Sequence, residues 1–528
     1  MPKKLTHKDL TLREKIGQTV ICLCETDKHI EMCGSLEKFL ERYPVGGIFN
    51  NKGLVKGLLI GENPDFKKIV DDYNKYLKVP LFATADSGSF AKKHDVILPP
   101  QMALGAADDT TLAKKAGSFI AEDCKKTGIN WIFWPVCDIN MSKRSPVMDT
   151  RCVSDRWDLN TKIVSEEVKA LKEENIISCL KHYPGTPYNE SIDSHLTAVD
   201  NETPMELWRA TYGTMYKTLF KDNPPSIMTA HFNLTDYQTE MVDGKYPVAT
   251  LSHELTTNLL RKELGFKGVT VTDALVMGGF CGNGSVDRCV DSFLAGNDVL
   301  LWPAYEYMDE MERRILNGEI DEKILDEAVD RILALKSEYG ILDNVDNVSE
   351  ADGEFFRNIA KEISESSLTI LNRFDALLPL DAKKHKKVLI IGVTPDDDQY
   401  NDLCALKGEF EKHGCAVDMQ RNIWSNTLEE IQDDYDLIMF ALCRTSHRPI
   451  GPIDFWGDEA ASIWASNCSD VAKTVIVSFG SPYIYKYYNN SEVTYINTYS
   501  YSKPCLEATV KALFGEIEFK GKSPAELI

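Results

Sequence analysis

The sequence predicts an α/β protein in which a (β/α)8 TIM-type barrel is followed by an open α/β sandwich domain. Short apolar runs alternate with amphipathic stretches over about the first 340 residues, and a second alternating series follows a polar boundary. The 528 residues also exceed what one hydrophobic core usually organises, so we expect two domains.

Seven apolar runs in the first part predict buried parallel strands, because strands covered on both faces are apolar throughout. These runs are residues 45–49, 81–85, 131–134, 176–180, 226–230, 268–272 and 298–302. Helical periodicity is found between them at 112–126, 161–174, 254–264 and 323–336. Seven strands with intervening helices indicate a (β/α)8 barrel in which one strand is unidentified or absent.

A polar, irregular segment at residues 342–347 predicts a domain boundary. Beyond it, strands are predicted at 387–393, 436–442, 474–479 and 493–498, with helices at 402–412, 459–472 and 505–514. We therefore expect a catalytic barrel at 1–341, a linker and packing helix at 342–385, and a C-terminal sandwich at 386–528.

The composition argues against several partners. A formal net charge of −22 disfavours nucleic acid and anionic lipid, because a phosphate backbone requires a basic surface. No segment approaches the roughly 20 apolar residues of a membrane span, and no apolar run follows the first charged residues. The 14 cysteines have irregular spacing, which favours reduced thiols over disulfides or metal ligands. We expect a cytoplasmic protein.

Polar residues follow the predicted strands, where catalytic groups of a barrel lie. They are Asp86, Asp138, Lys181, His182, His231 and Asp273. Each one alone has an ordinary alternative, a strand-end residue satisfied by a loop amide. Together they predict a polar ring, and the lack of a glycine-rich phosphate loop favours a polyhydroxylated ligand over a nucleotide.

The loop after the fourth predicted strand carries Asp193 and His195, two residues apart. A carboxylate that holds one imidazole nitrogen leaves the other nitrogen free to exchange protons. A simple loop hydrogen bond is the alternative interpretation. Metal binding with His182 is a further alternative, but the spacing matches no zinc signature.

These motifs resemble glycoside hydrolase family 3, and specifically its β-N-acetylglucosaminidase branch. The similarity is carried by the Lys-His-Tyr-Pro-Gly run at 181–185, the Asp-Ser-His run at 193–195 and the nucleophile-strand pattern at 265–275. Further matches lie at 102–106, 128–130, 135–138, 150–151, 228–231, 295–298, 328–333 and in the C-terminal region. The resemblance therefore spans most of the chain.

The resemblance implies a retaining, exo-acting β-N-acetylglucosaminidase that cleaves terminal β-linked N-acetylglucosamine by double displacement. Asp273 would be the nucleophile, and His195, oriented by Asp193, the acid/base. Neither a cofactor nor a metal is implied. The implied substrate-binding positions are Asp86, Arg151, Lys181, His182 and His231.

The sequence departs from the family pattern in two places, and two alternative functions remain open. Thr186-Pro187 stands where the branch usually has His-Gly, and residues 85–90 lack the usual Glu-Gly-Gly. One alternative is a family 3 β-glucosidase or β-xylosidase, whose acid/base would be a glutamate of the second domain; the Asp-Ser-His run at 193–195 argues against it. The other is a carbohydrate-binding protein without turnover.

A histidine acid/base also raises the hypothesis that phosphate replaces water as the acceptor. A carboxylate base would repel a phosphate anion, at a cost of roughly 3 kcal/mol per unit charge at about 5 Å and a dielectric of about 20. Asp193 restores part of this repulsion, whereas Lys181 and Arg151 would attract an anion. Water as the only acceptor remains the alternative.

Overall fold

The computed structural model describes residues 4–51, 54–55, 58–59, 63, 65–86, 96–280, 285–345, 347–374, 376–445 and 453–528. The chain is an α/β protein in which the first part contains parallel strands only, apart from one short hairpin. A separate six-stranded sheet occupies the second part.

The strands of the first part form a curled parallel sheet. A five-stranded group has the order β10-β1-β2-β5-β6, and a three-stranded group has the order β7-β8-β9. Parallel bridges at Trp131–Ile177 and Val271–Val299 lie between the two groups. The strands are β1 (Val20–Leu23), β2 (Gly47–Phe49), β3 (Leu54–Val55), β4 (Leu58–Leu59), β5 (Phe82–Asp86), β6 (Trp131–Phe133), β7 (Leu180–Tyr183), β8 (Ser226–Thr229), β9 (Val269–Thr272) and β10 (Leu300–Leu301).

The strand that the sequence analysis did not identify is β1. It pairs with β10 on one side and β2 on the other, and all four of its residues are buried. The predicted run 176–180 overlaps β7 only at Leu180, because the chain pairs with β8 further along, through Leu180 and Tyr183. Lys181 and His182 therefore lie within a strand, and the prediction that they follow it was wrong.

Helices cover the outside of the first part. Asp109 begins α6 by accepting hydrogen bonds from the Thr111 and Leu112 amides, and Gly128 ends it in a left-handed conformation. Residues Arg209–Gly213 and Glu254–Glu263 are π-helical. The α-helices are α1 (Leu12–Gln18), α2 (Thr26–Cys33), α3 (Leu36–Arg42), α4 (Phe66–Asn74), α5 (Gln101–Ala107), α6 (Thr110–Thr127), α7 (Trp157–Glu173), α8 (Met205–Trp208), α9 (Thr214–Leu219), α10 (Val286–Leu294), α11 (Glu306–Leu316) and α12 (Glu322–Glu338).

The second sheet has the order β11-β16-β15-β14-β12-β13, and only β11 is antiparallel to its neighbour. Its four predicted strands are present, whereas the edge strands β11 and β13 were not identified. The elements are α13 (Gly353–Ser367), β11 (Thr369–Asn372), β12 (Lys387–Val393), α14 (Asp397–Leu403), α15 (Ala405–Lys412), β13 (Ala416–Arg421), α16 (Ser425–Ile431), β14 (Leu437–Leu442), α17 (Gly457–Cys468), β15 (Thr474–Ser478), β16 (Thr494–Asn497) and α18 (Lys503–Leu513).

The loop after β6 rests on the second part of the chain. The Asn140 side chain donates to the Tyr483 hydroxyl at 2.9 Å, and Arg144 lies 3.6 Å from the Asp454 carboxylate. Asn140 and Arg144 both precede Arg151, a predicted substrate-binding residue, in the sequence. The second part therefore helps to fix the segment that leads to this arginine.

Two further predictions concern the whole chain. In the part of the chain that the structure describes, no helix is both long and apolar enough to cross a membrane. The cysteines in that part are all free thiols, and most of them are buried.

Candidate active site

A small, partly enclosed cavity opens at the carboxyl ends of β5, β7 and β9. It brings together six of the predicted site residues, although they are far apart in the sequence. The lining residues are Asp86, Val147, Met148, Arg151, Lys181, His182, Ser194, His195, Met228, Phe232 and Asp273. Its charged groups are two carboxylates and two cations, with two histidines between them.

Asp273 lies directly after β9, and its backbone amide donates to the Thr229 carbonyl of β8 at 2.8 Å. Among the described residues, the Ala274 amide, at 2.7 Å, is the one hydrogen-bond donor to its carboxylate. Burial acts to raise the pKa of Asp273, but His182, His231 and His195 outweigh it and lower the pKa to about 2. The carboxylate is therefore charged at neutral pH.

His195 and Asp193 form a hydrogen-bonded pair. Asp193 Oδ1 lies 2.6 Å from His195 Nδ1 and also accepts from the His195 backbone amide at 2.8 Å. The Asp193 side chain is buried, whereas 27% of the His195 side chain is exposed, on the cavity side. Because Asp193 Oδ1 is hydrogen-bonded to Nδ1, the imidazole keeps Nε2 available for proton exchange.

The turn after Asp273 fixes the loop that carries this pair. The Gly278 amide donates to the His195 carbonyl at 2.8 Å, and the Gly279 amide donates to the Ser194 carbonyl at 3.1 Å. A Cβ atom at either glycine would overlap the backbone of the opposite loop. Two glycines thus allow the segments carrying Asp273 and His195 to lie against each other.

Lys181 and His182 are adjacent in β7 and have separate acidic partners. Lys181 Nζ lies 2.5 Å from Asp86 Oδ1, and His182 Nδ1 lies 2.7 Å from Asp138 Oδ2. Burial lowers the pKa of both side chains, and Asp86 and Asp138 oppose this effect. Asp138 also accepts from the Thr186 amide, so it holds both His182 and the start of the following loop.

His231 lies behind Asp273 and is not on the cavity wall. Its ring is fully buried, with Nε2 3.0 Å from the Ala274 carbonyl and Nδ1 3.0 Å from the Thr250 hydroxyl. It therefore contacts the backbone segment that carries Asp273. Arg151, by contrast, is on the wall and is half-buried, and its guanidinium donates to the Val147 carbonyl at 3.2 Å.

Sequence reasoning did not identify the apolar part of the wall, formed by Val147, Met148, Met228 and Phe232. Met228 lies between Ile227 and Thr229 in the buried strand β8, and nothing in this pattern distinguishes a cavity residue from a core residue. The variant loop after Asp86 lies outside the described residues, which resume at Val96. Within the described ranges, no group of three or more His, Cys, Asp or Glu side chains is arranged to hold a metal ion.

Known proteins resemble the chain over nearly its whole length. A curated relative from Cellulomonas fimi, "Beta-N-acetylglucosaminidase/beta-glucosidase", is 27% identical over 97% of this chain and 93% of its own length. A family 3 β-N-acetylglucosaminidase structure from Paenibacillus sp. str. FPU-7 superposes with a TM-score of 0.81, covering 98% of this chain and 99% of that one, at 24% identity. "Beta-glucoside phosphorylase BglX bound to 2FGlc" has a TM-score of 0.84, covering 99% and 95%, at 22% identity.

The two structural likenesses concern the fold, whereas a family model matches the sequence itself. The model described as "Glycosyl hydrolase family 3 N terminal domain" covers residues 11–335, more than half of the chain. This segment contains every residue of the cavity wall. The chain therefore belongs to glycosyl hydrolase family 3, and it is a glycoside hydrolase.

Proposed function

We propose that this protein is a retaining, exo-acting β-N-acetylglucosaminidase that removes terminal β-linked N-acetylglucosamine. The observation that carries the proposal is that a charged carboxylate, Asp273, and an Asp193-oriented histidine, His195, meet at one small cavity. The names of the Cellulomonas relative and of the Pseudoalteromonas piscicida relative "Beta-hexosaminidase A" support the choice of sugar.

In the first step, a carboxylate oxygen of Asp273 attacks the anomeric carbon and the glycosidic C–O bond breaks. His195 Nε2 donates its proton to the departing oxygen, so the aglycone leaves as a neutral alcohol. The imidazole is neutral afterwards, with its Nδ1 proton held by Asp193. The sugar is then linked to Asp273 as an ester.

In the second step, water attacks the anomeric carbon and transfers a proton to His195 Nε2, while the bond to Asp273 breaks. Two inversions at the anomeric carbon give net retention. The carboxylate is a competent leaving group because the pKa of Asp273 is low, at about 2. The imidazole ends protonated, ready for the next substrate.

The remaining wall residues would hold the sugar. Lys181, Arg151 and His182 provide hydrogen-bond donors for hydroxyl and acetamido oxygens, and Asp86 provides an acceptor. His231 would act indirectly, by orienting the segment of Asp273.

Matched aryl β-glycosides test the proposal. We expect the N-acetylglucosaminide to be turned over with a higher kcat/KM than the glucoside or xyloside, because the acetamido group makes additional contacts. A preference for glucoside or xyloside would favour the family's other specificities. Absence of turnover with all three sugars, together with saturable binding of N-acetylglucosamine, would favour a carbohydrate-binding protein.

A second candidate activity is transfer of the sugar to inorganic phosphate. The lining charges support it, since Lys181 and Arg151 balance Asp86 and Asp273 and the base is an imidazole. The structural neighbour named as a β-glucoside phosphorylase supports it as well. Formation of sugar 1-phosphate in millimolar phosphate, measured by NMR, would establish this activity, and an unchanged yield of free sugar would exclude it.

We also infer that the two groups of parallel strands and the bridges between them form one (β/α)8 barrel within residues 1–341. Residues 342–385 would connect it to a sandwich domain at 386–528, with β11 contributing to the sandwich from within the connecting segment. The free thiols support a reducing compartment such as the cytoplasm.

A further inference from the structure

We propose that Glu190 is a positioning residue that, in its uncharged form, clips the loop carrying His195 to the loop carrying Arg151. Glu190 is three residues before Asp193 and is almost fully buried, with a relative exposure of 2%. It does not line the cavity. The proposal rests on the proposed function, because it concerns the placement of the acid/base pair.

The clip has two contacts. The Ser145 hydroxyl donates to Glu190 Oε2, and the Ser142 hydroxyl donates to the Glu190 carbonyl at 2.6 Å. Ser145 Oγ also accepts from the Met148 amide at 3.0 Å. The Met148 carbonyl in turn accepts from the Arg151 amide at 2.8 Å. A continuous series of hydrogen bonds therefore links Glu190 to two residues of the cavity wall.

The loop after β6, which carries Ser142 and Ser145, is also held by the second part of the chain. Asn140 and Arg144, which flank Ser142, contact Tyr483 and Asp454 respectively. The loop after β6 is therefore held on one side by the second sheet and on the other by Glu190. We infer that Glu190 transmits this rigidity to the loop of Asp193 and His195.

The surroundings favour a neutral carboxyl group. Burial is the main effect that raises the pKa of Glu190, to about 8, while the Ser145 hydroxyl lowers it. Asp138 and Asp193 raise the pKa further, and Arg151 lowers it. Among the described residues Glu190 Oε1 has no hydrogen-bond partner, and an unpaired buried oxygen is much more costly when it carries charge. At neutral pH the carboxyl group is therefore mostly protonated.

Ionisation would place a negative charge beside Asp138 and Asp193 in a poorly solvated site. The native state can relieve this repulsion by letting the loop of His195 move away. The clip therefore holds below about pH 8 and weakens above it. Such a loosening would impair proton transfer more than sugar binding, because the sugar contacts come mainly from β5, β7 and Arg151.

The variants Glu190→Gln and Glu190→Ala test this role, with Glu206→Gln as a matched control at an exposed glutamate. Glutamine keeps the shape and the acceptor for Ser145 without a charge, whereas alanine removes the clip. For substrates with poor leaving groups we expect Glu190→Ala to lower kcat at least about tenfold, against about threefold or less for activated aryl glycosides. Glu190→Gln should retain most of this activity at about pH 7.

Two further readouts do not depend on folding of the alanine variant, and the second of them does not depend on the assigned reaction either. The ratio of kcat/KM for Glu190→Gln to that of the wild type should rise at least about fivefold between about pH 7 and about pH 9.5. The protection factors of residues 186–197, in which the intrinsic pH dependence of hydrogen exchange is divided out, should fall in the wild type over the same range and change much less in Glu190→Gln. The control should behave as the wild type does.

A flat ratio, with exchange of residues 186–197 that is equal in the wild type and Glu190→Gln at both pH values, would overturn the proposal. Equal losses in Glu190→Gln and Glu190→Ala for both classes of leaving group would do so as well. If the wild type hydrolyses no β-glycoside, the proposed function fails, and the exchange measurement still decides whether the clip exists.

Discussion

Two aspartates at opposite ends of β9 illustrate how the same side chain serves different purposes. Asp298 contacts the start of β9, where both of its oxygens are occupied: Arg331 donates to Oδ1 at 2.7 Å and Arg261 to Oδ2 at 2.6 Å. The Thr270 amide and hydroxyl also donate to Oδ2. Asp273, at the other end, accepts one hydrogen bond from an amide among the described residues.

Both carboxyl groups have a lowered pKa, but the causes differ. Burial opposes ionisation of Asp298, and Arg261 and Arg331 outweigh it through direct ion pairs. For Asp273, burial is outweighed by three histidines, none of which is hydrogen-bonded to its carboxylate. The first arrangement consumes the acceptor capacity of the carboxylate, whereas the second keeps it charged and open to the cavity. A low pKa alone therefore does not distinguish an ion-pair residue from a nucleophile, but the remaining acceptor capacity does.

The largest effect should come from Asp273→Asn. We expect kcat to fall by more than about 10⁴-fold, because an amide cannot form the covalent intermediate. The free energy of unfolding should change by no more than about 2 kcal/mol. Steady-state kinetics and urea denaturation measure the two quantities. Residual activity within about tenfold of the wild type would show that Asp273 is not the nucleophile.

Replacement of His195 tests whether this residue is the acid/base that acts together with Asp273 at the carboxyl end of β9. His195→Ala should slow hydrolysis of substrates with poor leaving groups by about 10²- to 10⁴-fold, which is the usual contribution of general acid/base catalysis. Activated aryl glycosides should be affected much less in the first step, because their leaving group needs no proton. Equal losses for both substrate classes would indicate a structural histidine.

Asp298→Asn should have the opposite outcome to Asp273→Asn. We expect the free energy of unfolding to fall by about 3 to 5 kcal/mol, because Arg261 and Arg331 lose the charge that compensates theirs. The kcat per folded molecule should stay within about twofold of the wild type, since Asp298 is remote from the cavity. Loss of kcat with normal stability would contradict the comparison.

The smallest effect concerns pH. The pKa of Asp273 is about 2 in the folded protein and near 3.8 when unfolded, so its ionisation stabilises the fold above about pH 4. This contribution is lost as the pH falls toward 2. Between about pH 6 and about pH 3, the wild type should therefore lose about 1 kcal/mol more stability than Asp273→Asn does. Parallel stability curves would show that the histidines do not lower the pKa of Asp273.

Much of the fold could be predicted from the sequence, because buried parallel strands are apolar throughout. There are physical reasons why the sequence did not predict the remaining strands. β1 is only four residues long, and in the edge strand β13 the residues Asp418, Gln420 and Arg421 interrupt the apolar pattern. β11 falls in the segment expected to be a linker, where its pairing with β16 has no local signal.

The candidate site was predictable where a polar residue ends an apolar run, as at Asp273 and Asp86. The sequence could not place Lys181 and His182 relative to the end of their strand, because a run of apolar residues does not fix the strand end to a single position. Glu190 gave no signal, because a glutamate among Asn189 and Ser191 looks like an exposed loop residue. Its burial results from packing against a loop that lies about 45 residues away in the sequence.

Trapping of the glycosyl-enzyme tests the central assignment most directly. The wild type would be incubated with a 5-fluoro derivative of an activated N-acetylglucosaminide, digested, and its labelled peptide sequenced by mass spectrometry. We predict one covalent label per chain, on Asp273, and none in Asp273→Asn, while Asp298→Asn is labelled as the wild type is. A label on any other carboxylate would contradict the assignment of Asp273 as the nucleophile.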